Sequence, residues 1–560
     1  MNEKAKKAYK TYQSCVKQLK TVKRVTKQDL NTLYNIQCRM KKDSEYAEQL
    51  RELSAENESF CNLIENFFGE YNNFYGLEIR DDLIEFDDPE FASGSYFIIK
   101  SYKKDDTDNL VELAPTEFKA NEEAFVRATL YSHESNSPIV AERLLMLAVT
   151  DEGEEIRKET LNTDTMEFTT TLSRPGYVKF KVLATDSAAQ MILGSETAFG
   201  GIIFSREEIK TAHEPPSDLY DFWDGEIKRL MDTDPTDTTS DVYTGEVETL
   251  FDMPAKNKYS LKRIDKEYVE WLKSNSQPAP DDTQLEQYNI YELVLKSPGP
   301  CPSTGYVSIP KSANAKALPI HVSYDGYSVR SPAPMMKPDC IAVHCSHHGY
   351  ILGQKDAEFY NEIRKTVGGA YCLGNGEPNS RFDNVHDCYP LYIMLRDLQM
   401  IRYLIDPTLS NGIEGLHYAW NGDIILWGGS MGGYQTLCVG ALMPIMKKYC
   451  PPYRSLRLEA GSPAFGDVAG HTAGRVKSTF FTYSKGVDYF DTAILSSLIS
   501  DETLIHRASL GDEVCTASSM TAMYNMIPGD VKKEIRYVQN SSHGYLPDEE
   551  HQTWYVYKNK

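Results

Sequence analysis

No stretch of the 560 residues approaches the ~20 consecutive apolar residues that a membrane helix requires. The opening twenty, MNEKAKKAYKTYQSCVKQLK, have basic residues but neither an apolar core of roughly 7–15 residues nor a small-residue cleavage site. A cytoplasmic location is therefore expected, unless a leader has been removed. Positive charge is in short supply: 59 Lys and Arg stand against 81 Asp and Glu, a formal net charge of −22. Nucleic acid and anionic membrane surfaces, both polyanions, are excluded as main partners. The eleven cysteines are scattered, odd in number and without a CxxC pair. They read as buried reduced thiols, not as a disulfide framework or a zinc site. With 41% hydrophobic and 25% charged residues, the chain reads as globular, with two or three domains.

Three segments follow one another. Residues 1–75 read as a helical N-terminal segment. Tyr12, Val16 and Leu19 share a face, as do Leu30, Leu33, Tyr34 and Cys38, and Phe60, Leu63, Ile64, Phe67 and Phe68 make the clearest stripe. Thr26 and Asp29 resemble a capping box. This segment is basic up to Lys42 and acidic from Asp43 to Glu70, which suits a helical hairpin better than a binding arm. Residues 80–207 change to short runs rich in β-branched and aromatic residues, EEAFVRATLY, ERLLMLAV, MEFTTTL and GYVKFKVLA, separated by turn residues. In the last run Val178, Phe180 and Val182 point one way and Tyr177, Lys179 and Lys181 the other, the period of a half-buried strand. An Ig-like β-sandwich is expected here, acting as a spacer or packing module. No inter-sheet disulfide can hold it, because no cysteine lies between Cys61 and Cys301.

SREEIKTAHEPPSD, residues 205–218, reads as a linker, with Pro215 and Pro216 as breakers. From there strand candidates such as ALPIHVSY, DCIAVHC and GDIILWGG alternate with helical stretches, among them LYDFWDGEIKRLM. That alternation predicts an α/β domain over 208–560, a mostly parallel sheet with helices on both faces.

Within it, Gly428-Gly429-Ser430-Met431-Gly432 satisfies G-x-S-x-G, the pattern of a serine on a sharp strand-to-helix turn. Ile424-Ile425-Leu426-Trp427 supplies the strand, and Tyr434 to Lys448 the helix. The flanks of such a serine must be small, and Gly428 and Gly432 are. A nucleophilic serine needs an acid and then a histidine on later loops. Gly511-Asp512 follows one strand candidate, and Ser541-Ser542-His543-Gly544 follows another, so Ser430, Asp512 and His543 stand in the required order. Asp488, Asp491 and Asp501 compete for the acid's role. His506, inside an apolar run, reads as a packed residue, and His551 lies in a polar tail expected to be helical.

These motifs together resemble the acetyl xylan esterase and cephalosporin C deacetylase family of α/β-hydrolases. The resemblance runs from about 215 to 555. PPSDLYDFWDGEI is similar to the family's opening, GGSMGG to its elbow, SLGDEVCTASSMTAMYN to its acid loop, and SSHGY to its histidine loop; NVHDCYPLYIMLRDLQMIRYL resembles its helix before the elbow strand. The resemblance implies a serine esterase that removes a small acyl group, acetyl above all, from a sugar hydroxyl. It also implies Asp512 as the acid and a two-donor oxyanion hole, from the backbone N–H groups of Met431 and Tyr327. No cofactor is implied, and a homo-oligomer is. The chain departs from the family pattern at Met431 (for glutamine), at Asp325 (for histidine), at Thr516-Ala517 (for two prolines) and at HCSHHGY, 344–350, which replaces an Arg-Gly-Gln-Gly loop. A metal on His344, Cys345, His347 and His348 is a weaker account of that loop than a strand end running into an active-site loop, so no metal is expected. Two rivals stand beside the esterase. One is a serine peptidase of the prolyl oligopeptidase type, although residues 80–207 are too few for its propeller. The other is a non-catalytic carbohydrate-binding or scaffolding protein with a divergent hydrolase domain.

Overall fold

The structure is a computed structural model, and it describes residues 95–133, 135–150, 153–185, 198–239, 257–275, 279–299, 301–326, 333–346, 348–349, 385–470 and 485–559. The helices expected over 1–75 lie outside these residues.

Eight strands come first: β1 (Ser95–Lys104), β2 (Leu110–Glu112), β3 (Ala124–Ser132), β4 (Ala141–Thr150), β5 (Glu155–Thr163), β6 (Thr165–Thr170), β7 (Gly176–Thr185) and β8 (Ala198–Phe204). They form two antiparallel four-stranded sheets, ordered β2-β1-β3-β6 and β5-β4-β7-β8. Alternation explains the pairing. Ala124, Val126, Ala128 and Leu130 of β3 are buried while the residues between them are only partly so. Phe97, Val126 and Phe168 from one sheet and Leu144, Phe180 and Val182 from the other share a single core. Phe168 and Phe180 meet edge to face across it, with ring centroids 5.0 Å apart. The runs read from the sequence became β3, β4, β6 and β7. Strands β1, β2, β5 and β8 went unread: β5 has no apolar stripe, being exposed along most of its length, and β8 is buried almost throughout.

The larger region begins with α1 (Leu219–Asp232). Its strands are β9 (Ser260–Arg263), β10 (Tyr288–Leu295), β11 (Ser303–Pro310), β12 (Leu318–Tyr324), β13 (Ile341–Ser346), β14 (Trp420–Gly429), β15 (Ser455–Gly461), β16 (Glu502–Ser509), β17 (Lys533–Gln539) and β18 (Thr553–Lys558). They build one ten-stranded sheet in the order β18-β17-β16-β15-β14-β12-β13-β11-β10-β9. The six strands from β13 through β17 pair in parallel, and both flanks are antiparallel. Helices α2 (Tyr389–Ile405), α3 (Met431–Met446) and α4 (Ala517–Met526) connect the parallel core. This is an α/β-hydrolase-like fold with a mixed sheet. Helix α3 is apolar all round, and every residue of it except Pro444 is buried, which marks an internal helix. The tail read as helical is instead β18, an edge strand beside β17 that carries Trp554, Tyr555 and Tyr557, with His551 closing a short 3₁₀ turn before it.

The two regions are docked. The Tyr177 hydroxyl donates to the Leu510 carbonyl, and Asn540 donates to the Phe97 carbonyl at 2.8 Å. The Arg206 guanidinium lies 3.8 Å from the centre of the Tyr557 ring. A Cβ on Gly511 would lie 2.5 Å from that of Phe199. The stretch read as a linker is tied down as well: Asn525 donates to the carbonyls of Arg206 and Ile209, and Ala212 N–H to Asp467.

Candidate active site

Ser430 stands between the end of β14 and the start of α3, with φ 57° and ψ −117°. A non-glycine residue held there carries backbone strain of order 1–3 kcal/mol, maintained only by its surroundings. Those surroundings are visible. Ser430 N–H donates to Gly461 O at 2.8 Å, and its carbonyl accepts from Tyr434 at 3.0 Å and Ala464 at 3.1 Å. The flanking glycines are steric necessities. A Cβ on Gly428 would lie 2.4 Å from the carbonyl of Gly432, and one on Gly432 would lie 2.4 Å from Tyr324 O.

The loops after β16 and β17 carry the other two groups. Asp512 is fully buried, and its Oδ1 accepts from the N–H groups of Val514 and Cys515, each at 2.8 Å. Its Oδ2 lies 2.9 Å from His543 Nδ1, and His543 Nε2 lies 3.0 Å from Ser430 Oγ. A carboxylate only accepts, so Nδ1 carries the proton and Nε2 is left to accept from the serine. Burial pulls the pKa of His543 down, and the neighbouring Asp512 carboxylate, with the Cys515 side chain beside it, raises it by more, leaving the imidazole above its ordinary value. The Cys515 thiol lies in the same cluster, but burial pushes its own pKa up, so near pH 7 it is a neutral neighbour.

The competing acids are engaged elsewhere. Asp491 accepts from Asp467, Val468 and Ala493 N–H groups at 2.6–2.9 Å, Asp488 pairs with His213 at 3.2 Å, and Asp501 accepts from Ser500. His506 is half-buried against Trp427, its ring 6.5 Å away and nearly parallel.

Of the expected oxyanion donors, Met431 begins α3 directly after the serine and is buried, while Tyr327 lies outside the described residues. The β12 end that leads toward it is in place: Tyr324 O and Asp325 O are the atoms nearest a Cβ built on Gly432. Asp325 is paired. Its Oδ2 lies 3.0 Å from His344 Nε2, and His344 Nδ1 lies 2.5 Å from the Ala333 carbonyl. Both ring nitrogens of His344 face acceptors, one of them the Asp325 carboxylate. The two departures, at 325 and 344, thus answer each other.

Reading the sequence missed Arg507. Its guanidinium donates to the carbonyls of Ser542 at 2.7 Å and Tyr545 at 3.0 Å, fastening the loop that carries His543. A single arginine in an apolar strand gives no local signal of that duty. Cys515 was missed too; its place three residues after the acid was the available clue.

Residues 413–560 match the family model of acetyl xylan esterase. That span contains Ser430, Asp512 and His543 and leaves out Asp325 and residues 344–350. No curated protein matches the chain in sequence. Solved structures similar to it include the acetyl xylan esterase from Paenibacillus sp. R4, at 18% identity over 62% of this chain and 95% of that one, with a TM-score of 0.39. Others are acetyl xylan esterase 1 from Thermoanaerobacterium sp. JW/SL YS485 (17% identity, 61% and 93%, TM-score 0.37) and carboxyl esterase 2 from Tuber melanosporum (13%, 52% and 93%, TM-score 0.27). Over residues 413–560, then, the chain is similar in sequence to the acetyl xylan esterases.

Proposed function

We propose that the protein hydrolyses short-chain esters, acetyl above all, on carbohydrate or related small substrates, through Ser430, His543 and Asp512 and a covalent acyl-enzyme. The unbroken chain of hydrogen bonds from buried Asp512 through His543 to the strained Ser430 carries this reading. Ser430 Oγ attacks the ester carbonyl while His543 Nε2 takes its proton, and Asp512 stabilises the imidazolium that forms. The backbone N–H groups of Met431 and Tyr327 receive the negative charge that develops on the carbonyl oxygen. A main-chain donor is indifferent to the methionine side chain. The Asp325 carboxylate, which would otherwise oppose that charge, is engaged by the His344 ring. His543 returns the proton to the departing alcohol. It then takes a proton from water, which attacks the acyl carbon and frees Ser430. The chemistry calls for no metal or organic cofactor.

The sandwich fits the finer description of an Ig-like module. Its first, second, third and sixth strands share one sheet, and its fourth, fifth, seventh and eighth the other. Its contacts with Leu510 and Asn540 support a packing role against the loops bearing the acid and the histidine, rather than that of a spacer.

The test offers purified protein p-nitrophenyl acetate, a longer-chain p-nitrophenyl ester and a prolyl peptide substrate, beside Ser430→Ala. Acetate turnover, falling by about 10⁶-fold in kcat in the variant, supports the esterase. Preferred cleavage of the peptide supports the peptidase, and equal, negligible signal from both proteins supports the non-catalytic reading.

A further inference from the structure

A second cluster of chemistry-bearing side chains lies where the sandwich meets the hydrolase region, and the proposed reaction uses none of it. His133 follows β3 in the sandwich. Asp548 and His551 belong to the short segment between the His543 loop and β18. One potential ligand atom from each of the three lies within 4.8 Å of the others.

The arrangement is more than proximity. The imidazole centroids of His133 and His551 are 5.2 Å apart, with the rings inclined at 63°. Two imidazoles on one tetrahedral zinc, with Zn–N bonds of about 2.0–2.1 Å, have centroids roughly 5 Å apart. Tyr96 braces the pair: its ring stacks on His551 with centroids 3.8 Å apart and lies 4.7 Å from His133, while its hydroxyl donates to Asn136. Asp548 is the N-cap residue of the 3₁₀ turn, yet its side chain makes no capping hydrogen bond, which leaves its carboxylate available to a cation. Glu550 Oε1, 3.8 Å from His551 Nε2, adds a second negative charge.

We propose that His133, Asp548 and His551 bind a divalent transition-metal ion, Zn²⁺ by the character of two imidazoles and one carboxylate, and that the ion clamps the sandwich onto the hydrolase region. Three protein ligands leave a fourth position for water, and His551, eight residues beyond His543, joins the clamp to the histidine loop. The ion stabilises the docked arrangement and takes no part in ester hydrolysis.

The test uses the full-length protein, stripped with chelator, dialysed and titrated with Zn²⁺ by calorimetry, with Co²⁺ absorption as a second readout. The expected result is one equivalent bound and a zinc-dependent rise in melting temperature. Both are lost in His133→Ala and in His551→Ala, and affinity falls at least tenfold in Asp548→Asn, with circular dichroism verifying that each variant folds. His133→Ala keeps its esterase activity in zinc-free buffer. Asp512, Cys515 and His543 also bring ligand atoms within 4.8 Å of one another, and an ion there would silence the serine's base. Cys515→Ala distinguishes the two sites. Retained binding in that variant supports the clamp, whereas loss of binding overturns it. The proposal also fails if the wild-type protein binds no zinc, or if folded His133→Ala and His551→Ala bind as it does.

Discussion

Among the described residues of the sandwich, the non-glycine positions with positive φ before its last strand are Asp108, Asn121, Asn136 and Asn162. These side chains tolerate left-handed backbone and sit in turns. Around the Ser430 site the set is different: Ser430, Ser462, Phe465, Asp467 and Asn540. Serine and phenylalanine have no such tolerance, so each is held by its neighbours. Ser462 N–H donates to Arg507 O at 2.7 Å, Thr492 N–H to Phe465 O at 3.0 Å, and Asp467 N–H to Asp491 at 2.9 Å. Up to the end of β8 the sandwich thus keeps positive φ to tolerant turn residues, with Ser205 (φ 48°) the one exception, just after it. The hydrolase region, apart from Lys316 in a turn, gathers its positive-φ non-glycine residues around the Ser430 site and holds them with a scaffold, as expected where side chains must be aimed for chemistry.

Variants that separate packing from chemistry sharpen this contrast. The largest effect is expected of Asp512→Asn, which keeps the shape of the site but removes the charge that orients and stabilises the imidazole. Its kcat on p-nitrophenyl acetate falls by about 10⁴-fold with little change in melting temperature. Phe180→Ala, in the sandwich core, does the reverse. It costs about 3–5 kcal/mol in denaturant unfolding, while kcat of the folded fraction holds. A comparable fall in kcat would break the contrast and make the sandwich part of the catalytic apparatus.

Two glycines probe the same division on a smaller scale. Gly432→Ala drives a Cβ into the Tyr324 carbonyl and is expected to cost about 1–3 kcal/mol together with activity. Gly225, in the interior of α1, has nothing within 4 Å of its Cβ position, so Gly225→Ala should stabilise by about 1 kcal/mol and leave turnover alone. The pH profile adds a further measurement. A base acts only when neutral, and Asp512 holds His543 protonated to higher pH than an ordinary histidine. The acid limb of kcat/KM should therefore lie above ~6.5, with activity falling about tenfold per pH unit below it. A limb below 6 would contradict the charge balance described.

How much of this was legible in the sequence depended on range. Ser430, Asp512 and His543 could be read because each sits in a short motif at a strand end, and because their order along the chain constrains them jointly. β7 and β14 were legible through their apolar runs. The Asp325–His344 pair was not, since its members lie on neighbouring strands whose register only the fold sets. Arg507 was invisible for the same reason: its partners are carbonyls, which carry no sequence identity. Tyr177 points away from the sandwich core, as its alternation predicted, yet it is fully buried because the hydrolase region covers it. β18 was misread because its few aromatics lie in a polar context and pair only at a sheet edge.

The most direct test of the central claim is covalent. The native protein is treated with a fluorophosphonate, which reacts with serines activated by a neighbouring base, and the adduct is mapped by tandem mass spectrometry. The account predicts one adduct, on Ser430, that is absent in Ser430→Ala and much slower to form in Asp512→Asn. An unlabelled protein, or an adduct on any other serine, would contradict it.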